Sequence, residues 1–224
     1  MVTRLSEGVW WIDLGGVNAY LVDDGGDLTL VDAGMPWHGD DITGAVVDAG
    51  YSLSDLDRVL VTHYDLDHVG GLPRLDELEV DIYAGRGDAP LVAGHGSPSL
   101  RSHKGLSQRL LGLLGTPPDA DVLPLTDGDT VGSFTVYETP GHTPGHVAYV
   151  SEGLETAFLG DLVRESGGAL EPSPWLISDD TDAVARSVRE LADRAPGFEV
   201  AGIGHGVPFE RRGSDRLADL SERT

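Results

Sequence analysis

Four residues able to bind a metal ion, His63, Asp65, Asp67 and His68, fall within six positions directly after an apolar run at residues 58–62. That run reads as a buried strand, so its end must deliver the whole cluster onto one loop. Along an extended loop alternate side chains point the same way, which directs 63, 65 and 67 toward one centre. The turn at His68 reaches a second. Imidazole and carboxylate together suit zinc, iron or manganese rather than copper(I) or calcium. The chain has no cysteine, so thiolate ligands and disulfides are excluded.

The other metal-capable residues share one kind of address. Asp32 ends Leu30-Val31-Asp32-Ala33-Gly34, and His142 follows Thr139-Pro140-Gly141. Asp161 ends Phe158-Leu159-Gly160, and His205 lies between Gly204 and Gly206. Each closes an apolar strand near a glycine. Such strand ends bring side chains from distant sequence to one edge of a sheet or sandwich, which surface polarity alone would not do.

The pattern around them predicts strands at 9–14, 18–22, 28–33, 58–62 and 80–84, then hairpin material at 129–139 and strands at 147–150, 157–159 and 200–203. Helices are expected at 40–49, 68–78, 181–194 and from Ser214 onward, with Pro73 limiting the second. Residues 86–120 differ: they are rich in proline turns, with helical spacing over 100–114, and read as an insertion lying over something. Runs of strands followed by helices suit an α/β fold of one domain, a four-layer αββα sandwich with a substrate-covering insertion at about 86–120.

The motifs, taken in order, resemble the metallo-β-lactamase superfamily. Thr62-His63-x-Asp65-x-Asp67-His68-x-Gly70-Gly71 is similar to its His-x-His-x-Asp-His signature. Thr139-Pro140-Gly141-His142-Thr143-Pro144-Gly145-His146 resembles the third motif, best known in glyoxalase II-like members. Gly160-Asp161 resembles the bridging aspartate, Gly204-His205-Gly206 the last histidine, and Asp32 a buried carboxylate that orients the metal loop. The resemblance implies two divalent ions, zinc first. One site would take His63, Asp65 and His142, the other Asp67, His68 and His205, with Asp161 bridging. His146 would be structural. Asp67 would also orient a metal-bound hydroxide that attacks an ester, thioester or lactone.

Asp65 departs from that pattern, because most members carry histidine there. With Asp67 and Asp161 it sets three carboxylates against two divalent ions, leaving net +1 where the usual pattern leaves +2. A carboxylate here also resembles the flavodiiron branch, which opens metal identity to iron or manganese. A di-iron redox protein is therefore one alternative, although that branch carries a flavodoxin domain for which this chain has no room. Too few residues follow His205 for the glutathione-binding extension of glyoxalase II itself.

A phosphodiesterase acting on nucleic acid is the other alternative, and charge speaks against it. Asp and Glu number 38 against 15 Lys and Arg, a net −23, and Lys104 is the only lysine. Nucleic-acid binding needs a basic face, so a small-molecule substrate is expected instead. Arg164 is the first candidate to dock an anionic group, with Arg101, Lys104 and Arg109 as a second set. The acidic excess reads as adaptation to molar salt, where screening stops such a surface from repelling itself. No apolar run is long enough for a membrane span, and the first residues lack a secretory signal, which points to the cytoplasm.

Overall fold

Strand alternation sets the layers. In residues 18–22 Tyr20 and Val22 point one way and Ala19 and Leu21 the other, and all four are buried. A strand buried on both faces lies between two layers. The computed structural model describes residues 1–78, 80–98, 103–111 and 114–224, apart from the side chains at 103, 107, 110 and 111.

The first half contains β1 (Val2–Ser6), β2 (Val9–Asp13), β3 (Asn18–Asp24), β4 (Asp27–Val31), α1 (Gly39–Asp48), β5 (Leu56–Val61), α2 (Leu66–Val69), β6 (Asp81–Gly85), α3 (Ala89–Val92), α4 (His103–Leu111) and β7 (Val122–Leu125). Its strands form one sheet in simple chain order, β1 to β7, antiparallel as far as β4 and parallel from β4 to β7. The second half has β8 (Thr130–Val131), β9 (Phe134–Glu138), β10 (Val147–Ser151), β11 (Thr156–Phe158), a separate hairpin of β12 (Val163–Ser166) and β13 (Ala169–Pro172), α5 (Thr181–Arg194), β14 (Val200–Gly202) and α6 (Gly213–Ser221). Its main sheet runs β14-β11-β10-β9-β8.

Three apolar layers hold this together. Tyr20, Val31 and Leu60 of the first sheet meet Phe134, Tyr149 and Phe158 of the second between the sheets. Ile42 and Val46 of α1 cover the far face of the first sheet, against Leu21, Leu30 and Val59. Val184, Val188 and Leu191 of α5 cover the far face of the second, against Ala148 and Val150. The result is the expected αββα sandwich, a single domain.

Departures from the expected elements have local causes. The helix expected over 68–78 stops at Val69 and resumes as a 3₁₀ turn, Leu72–Leu75. Gly70 and Gly71 weaken it, and Pro73 has no N–H to continue an α-helix. Four strands lie outside the expected set: β1 and β7, both edges of the first sheet, and β12 and β13, a separate hairpin. β7 carries Pro124, whose missing donor is tolerated only at an edge or bulge. Within 86–120, Ala89 and Val92 of α3 belong to the helix-side core, whereas Lys104 and Gln108 of α4 face a cavity. Parts of the run at 100–114, Arg101 among them, fall outside the described residues. Among the described residues no helix is long and apolar enough to cross a membrane.

Candidate metal centre

Asp32 begins the site. It follows β4 in the left-handed region, φ +58°, a conformation that aspartate tolerates better than most residues. The turn puts its carboxylate under the loop leaving β5. Oδ1 accepts from Thr62 N–H and Oδ2 from Thr62 Oγ1–H, each at 2.8 Å. Oδ2 also lies 2.8 Å from His68 Nδ1. The loop after β5 is thereby tied to the end of β4 from beneath.

All four histidines of the centre are held in the same sense. Nδ1 of His63 pairs with Thr62 Oγ1 at 3.0 Å, and Nδ1 of His68 with Asp32. Nδ1 of His142 pairs with Ser173 Oγ at 2.9 Å, and Nδ1 of His205 donates to Gly16 O at 2.6 Å. In each ring this leaves Nε2 facing the carboxylates. Fixing one ring nitrogen so that the other can ligate is how outer groups prepare a metal-binding histidine.

The seven residues singled out in the sequence converge as two groups of donor atoms. His63, Asp65, His142 and Asp161 form one, and Asp67, His68 and His205 the other, with the donors of each within 4.8 Å of one another. Asp65 Oδ2 lies 2.9 Å from His142 Nε2 and 3.3 Å from His63 Nε2. Asp161 touches both groups. Its Oδ2 is 3.4 Å from His142 Nε2 and 3.2 Å from His205 Nε2, while Oδ1 is 3.6 Å from His68 Nε2. Asp67 Oδ2 lies 3.4 Å from His205 Nε2.

The donor set fits divalent ions. His63 Nε2, His68 Nε2 and Asp161 Oδ1 are buried polar atoms with no hydrogen-bond partner. Leaving such atoms unmatched costs about 1–3 kcal/mol each. Three of them aimed at shared centres are explained by cations between them.

Without cations the groups perturb one another strongly. Burial pulls the His68 ring down, but Asp32 and Asp161 outweigh it and push its pKa up to about 10. Burial likewise opposes His205, and the hydrogen bond to Asp161 raises it to about 9. His63, dominated by burial and by the neighbouring His68, falls to about 4. Burial opposes ionisation of Asp65 and Asp161, yet Lys104 holds the first well below the usual carboxylate range and His68 the second. Such opposed shifts in one cluster mark a functional site.

The remaining candidates fall into place around this centre. Both ring nitrogens of His146 are already engaged: its Nδ1 pairs with Thr139 Oγ1 at 2.8 Å and its Nε2 accepts from Asp161 N–H at 3.1 Å, fixing the main chain of Asp161. His38 accepts from Met35 N–H and His95 is exposed, and neither lines the cavity. Arg164 lines the cavity, whereas Arg109 donates to Pro98 O.

Supporting residues went unrecognised in the sequence. Asp88, fully buried, accepts from Tyr64 N–H, Thr143 Oγ1–H and Gly145 N–H, joining the loop after β5 to the loop after β9. It follows a strand in Gly85-Arg86-Gly87-Asp88, the same signal that marked the ligand candidates. Asn18 donates to Ile203 O and Gly206 O, and the Tyr20 hydroxyl also binds Ile203 O, so the first sheet holds the His205 loop. No local signal pointed to these two. Gly204 is required by packing, since a Cβ there would lie 1.9 Å from Asp161 Oδ1.

Above the donors opens a cavity of about 470 Å³, within the 300–1,000 Å³ of small-molecule pockets. Its floor is polar, with Asp65, Asp67, His142, Asp161 and His205. Leu66, Val69, Leu91, Val92, Leu176 and Ile177 form much of its wall. Trp175 and Leu176 stand largely exposed nearby.

Residues 12–205 match the sequence family described as the metallo-beta-lactamase superfamily. The uncharacterized protein YobT of Bacillus subtilis is 31% identical over 220 residues, 92% of this chain and 90% of the relative. An atrochrysone carboxyl ACP thioesterase of Aspergillus novofumigatus is 30% identical over 173 residues, 74% of this chain but 44% of the relative. Among solved structures, TTHA1623 in a di-iron-bound form is 28% identical, with a TM-score of 0.68 over 93% of each chain.

Proposed function

The chain belongs to the metallo-β-lactamase superfamily, and within it we propose a binuclear metal-dependent hydrolase acting on small esters, thioesters or lactones with an apolar body. The observation that carries this reading is the pair of donor groups on the floor of an apolar-walled cavity. His63, Asp65 and His142 would hold one ion and Asp67, His68 and His205 the other, with Asp161 shared. Zinc is the first expectation; the carboxylate of Asp65 and the di-iron relative support iron or manganese as well. When bound, such ions supply an activated water and polarise a carbonyl oxygen.

The chain's own groups do the rest. Asp67, part exposed at the cavity floor, accepts and orients the proton of the attacking water. Leu66, Val69, Leu176 and Ile177 exclude water and seat the acyl or ring portion. Arg164, at the cavity and exposed, is placed to take an anionic group on the leaving portion. The relative named as a thioesterase supports the thioester class. The net charge of −23 speaks against nucleic acid as substrate.

A panel of ester, thioester, lactone and phosphodiester substrates, run with zinc, iron or manganese, tests the reading. Turnover of an acyl substrate that needs metal is expected. Metal-dependent cleavage of the phosphodiester alone would overturn it. The relative in a di-iron form favours one second reading, a redox protein, which iron-specific oxygen consumption without hydrolysis would establish.

A further inference from the structure

We propose that Lys104, the chain's only lysine, is a built-in counter-charge for Asp65, restoring to the centre the positive charge that a carboxylate at position 65 removes. The inference rests on the two-ion reading above. Lys104 is 4% exposed, and its Nζ lies 2.8 Å from Asp65 Oδ2, the oxygen that also faces His142 and His63. Gln108, one helical turn further along α4, donates to Asp65 Oδ1 at 2.6 Å and to Tyr64 O at 2.9 Å. Residues four apart share a helix face, so α4 grips both oxygens of this one carboxylate.

The arithmetic follows from the residues. Asp65, Asp67 and Asp161 bring −3 against +4 from two divalent ions, leaving +1. Lys104 raises that to +2, the value that a histidine at position 65 would leave without any lysine. The residue type also fits. An ammonium is a compact point charge that can meet one oxygen, whereas the guanidinium fork of arginine, the other cation in this chain, spans two. Here Gln108 already occupies the second oxygen. A buried cation is costly unless paired, so Lys104 and Asp65 form a unit. Exchanging Asp65 alone for histidine would then not repair the signature; it would set a buried ammonium against an imidazole.

A double-mutant cycle tests this with wild type, Asp65→His, Lys104→Met and the double variant. Zinc content per chain is measured by elemental analysis, zinc affinity by competition, and the thermal midpoint on chelator-treated protein. Asp65→His is expected to keep close to one zinc, and its metal-free midpoint to fall by about 5–10 °C, as for a broken buried pair. Lys104→Met is expected to keep two zinc ions and to bind the first-group ion at least about tenfold tighter, because a nearby positive charge is gone. The double variant should regain two zinc ions and most of the lost midpoint.

Simple addition of the two single effects would overturn the proposal, as would unchanged zinc affinity in Lys104→Met. Asp65→Asn, neutral and of the same shape, replaces Asp65→His if the latter does not fold. Wild type that fails to take two ions sinks the parent reading along with this one. Wild type with two ions and additive variants sinks this inference alone.

Discussion

Asp32 Oδ2 and His68 Nδ1 meet at 2.8 Å beneath the loop that follows β5. Because a carboxylate only accepts, the ring proton sits on Nδ1 and the lone pair of Nε2 is left for the centre. The same carboxylate takes both donors of Thr62. Asp32→Asn preserves shape but presents an N–H₂ to one of these donors, so the preferred tautomer of His68 inverts. Affinity for the ion held by Asp67, His68 and His205 should fall 10–100-fold, the usual cost of losing such an outer partner, with the fold retained. Unchanged affinity in metal titrations would remove Asp32 from this role.

Metal loading should release protons. Near pH 7 the metal-free protein carries protons on His68, with a pKa of about 10, and His205, about 9, but not on His63, about 4. Ligation requires neutral rings, so filling the second group expels about two protons per chain. Apparent affinity should climb with pH and level off above roughly 9–10. The sign for stability follows from the same shifts. Both folded values lie above the unfolded 6.5, so the rings stabilise the metal-free fold fully below that value. This contribution is lost as pH rises through about 9 and then about 10. Calorimetry in two buffers of different ionisation enthalpy counts the protons, and no release at pH 7 would refute the scheme.

His142 and Asp161 should differ in their effect on metal content. Asp161 faces both donor groups, whereas His142 faces only the first. Protein purified without chelator should hold close to two equivalents of zinc, iron or manganese. His142→Ala is expected to lose one, and Asp161→Ala to drop well below one. Turnover should vanish in both while circular dichroism shows the fold intact. Less than half an equivalent in wild type after reconstitution would end the binuclear reading.

The parts of this centre legible in the sequence share one trait: each candidate follows an apolar strand, and His142, Asp161 and His205 also adjoin a glycine. That trait is local, so His63, His142, Asp161 and His205 could be singled out without knowing which strands pair. Asp88 carries the same mark but falls within residues 86–120, a stretch that reads as an insertion rather than as part of the sheets, which hides its role. Asn18 and Tyr20 act across the two sheets, on main-chain oxygens more than 180 residues away, and nothing near them in sequence hints at that. In the sequence Lys104 stands out only as a cation able to dock an anionic substrate or to balance local charge; only the placement of α4 over the β5 loop reveals its contact with Asp65. The layers were legible because alternation and helical spacing are strong in the interior. The edges β1 and β7 and the hairpin of β12 and β13 were not, since at most one residue of each is buried and no face imposes an alternation.

Salt should decide whether the chain stays folded. Two effects of opposite sign compete. Exposed pairs such as Arg212–Asp215 and Arg194–Asp127 weaken as salt rises, but such pairs contribute only about 0–1 kcal/mol each. Against them stands the mutual repulsion of a net −23, with Asp40, Asp41, Asp219 and Glu222 among the exposed carboxylates. Its reach is the Debye length, about 10 Å at 0.1 M and about 3 Å at 1 M. Repulsion over such a surface outweighs a few weak pairs, so net destabilisation at low salt is expected. The unfolding midpoint should therefore rise steeply between about 0.1 M and 2 M potassium chloride. Measuring it with chelator present keeps metal loading out of the comparison. A flat or falling midpoint would show that the acidic composition is not an adaptation to molar salt.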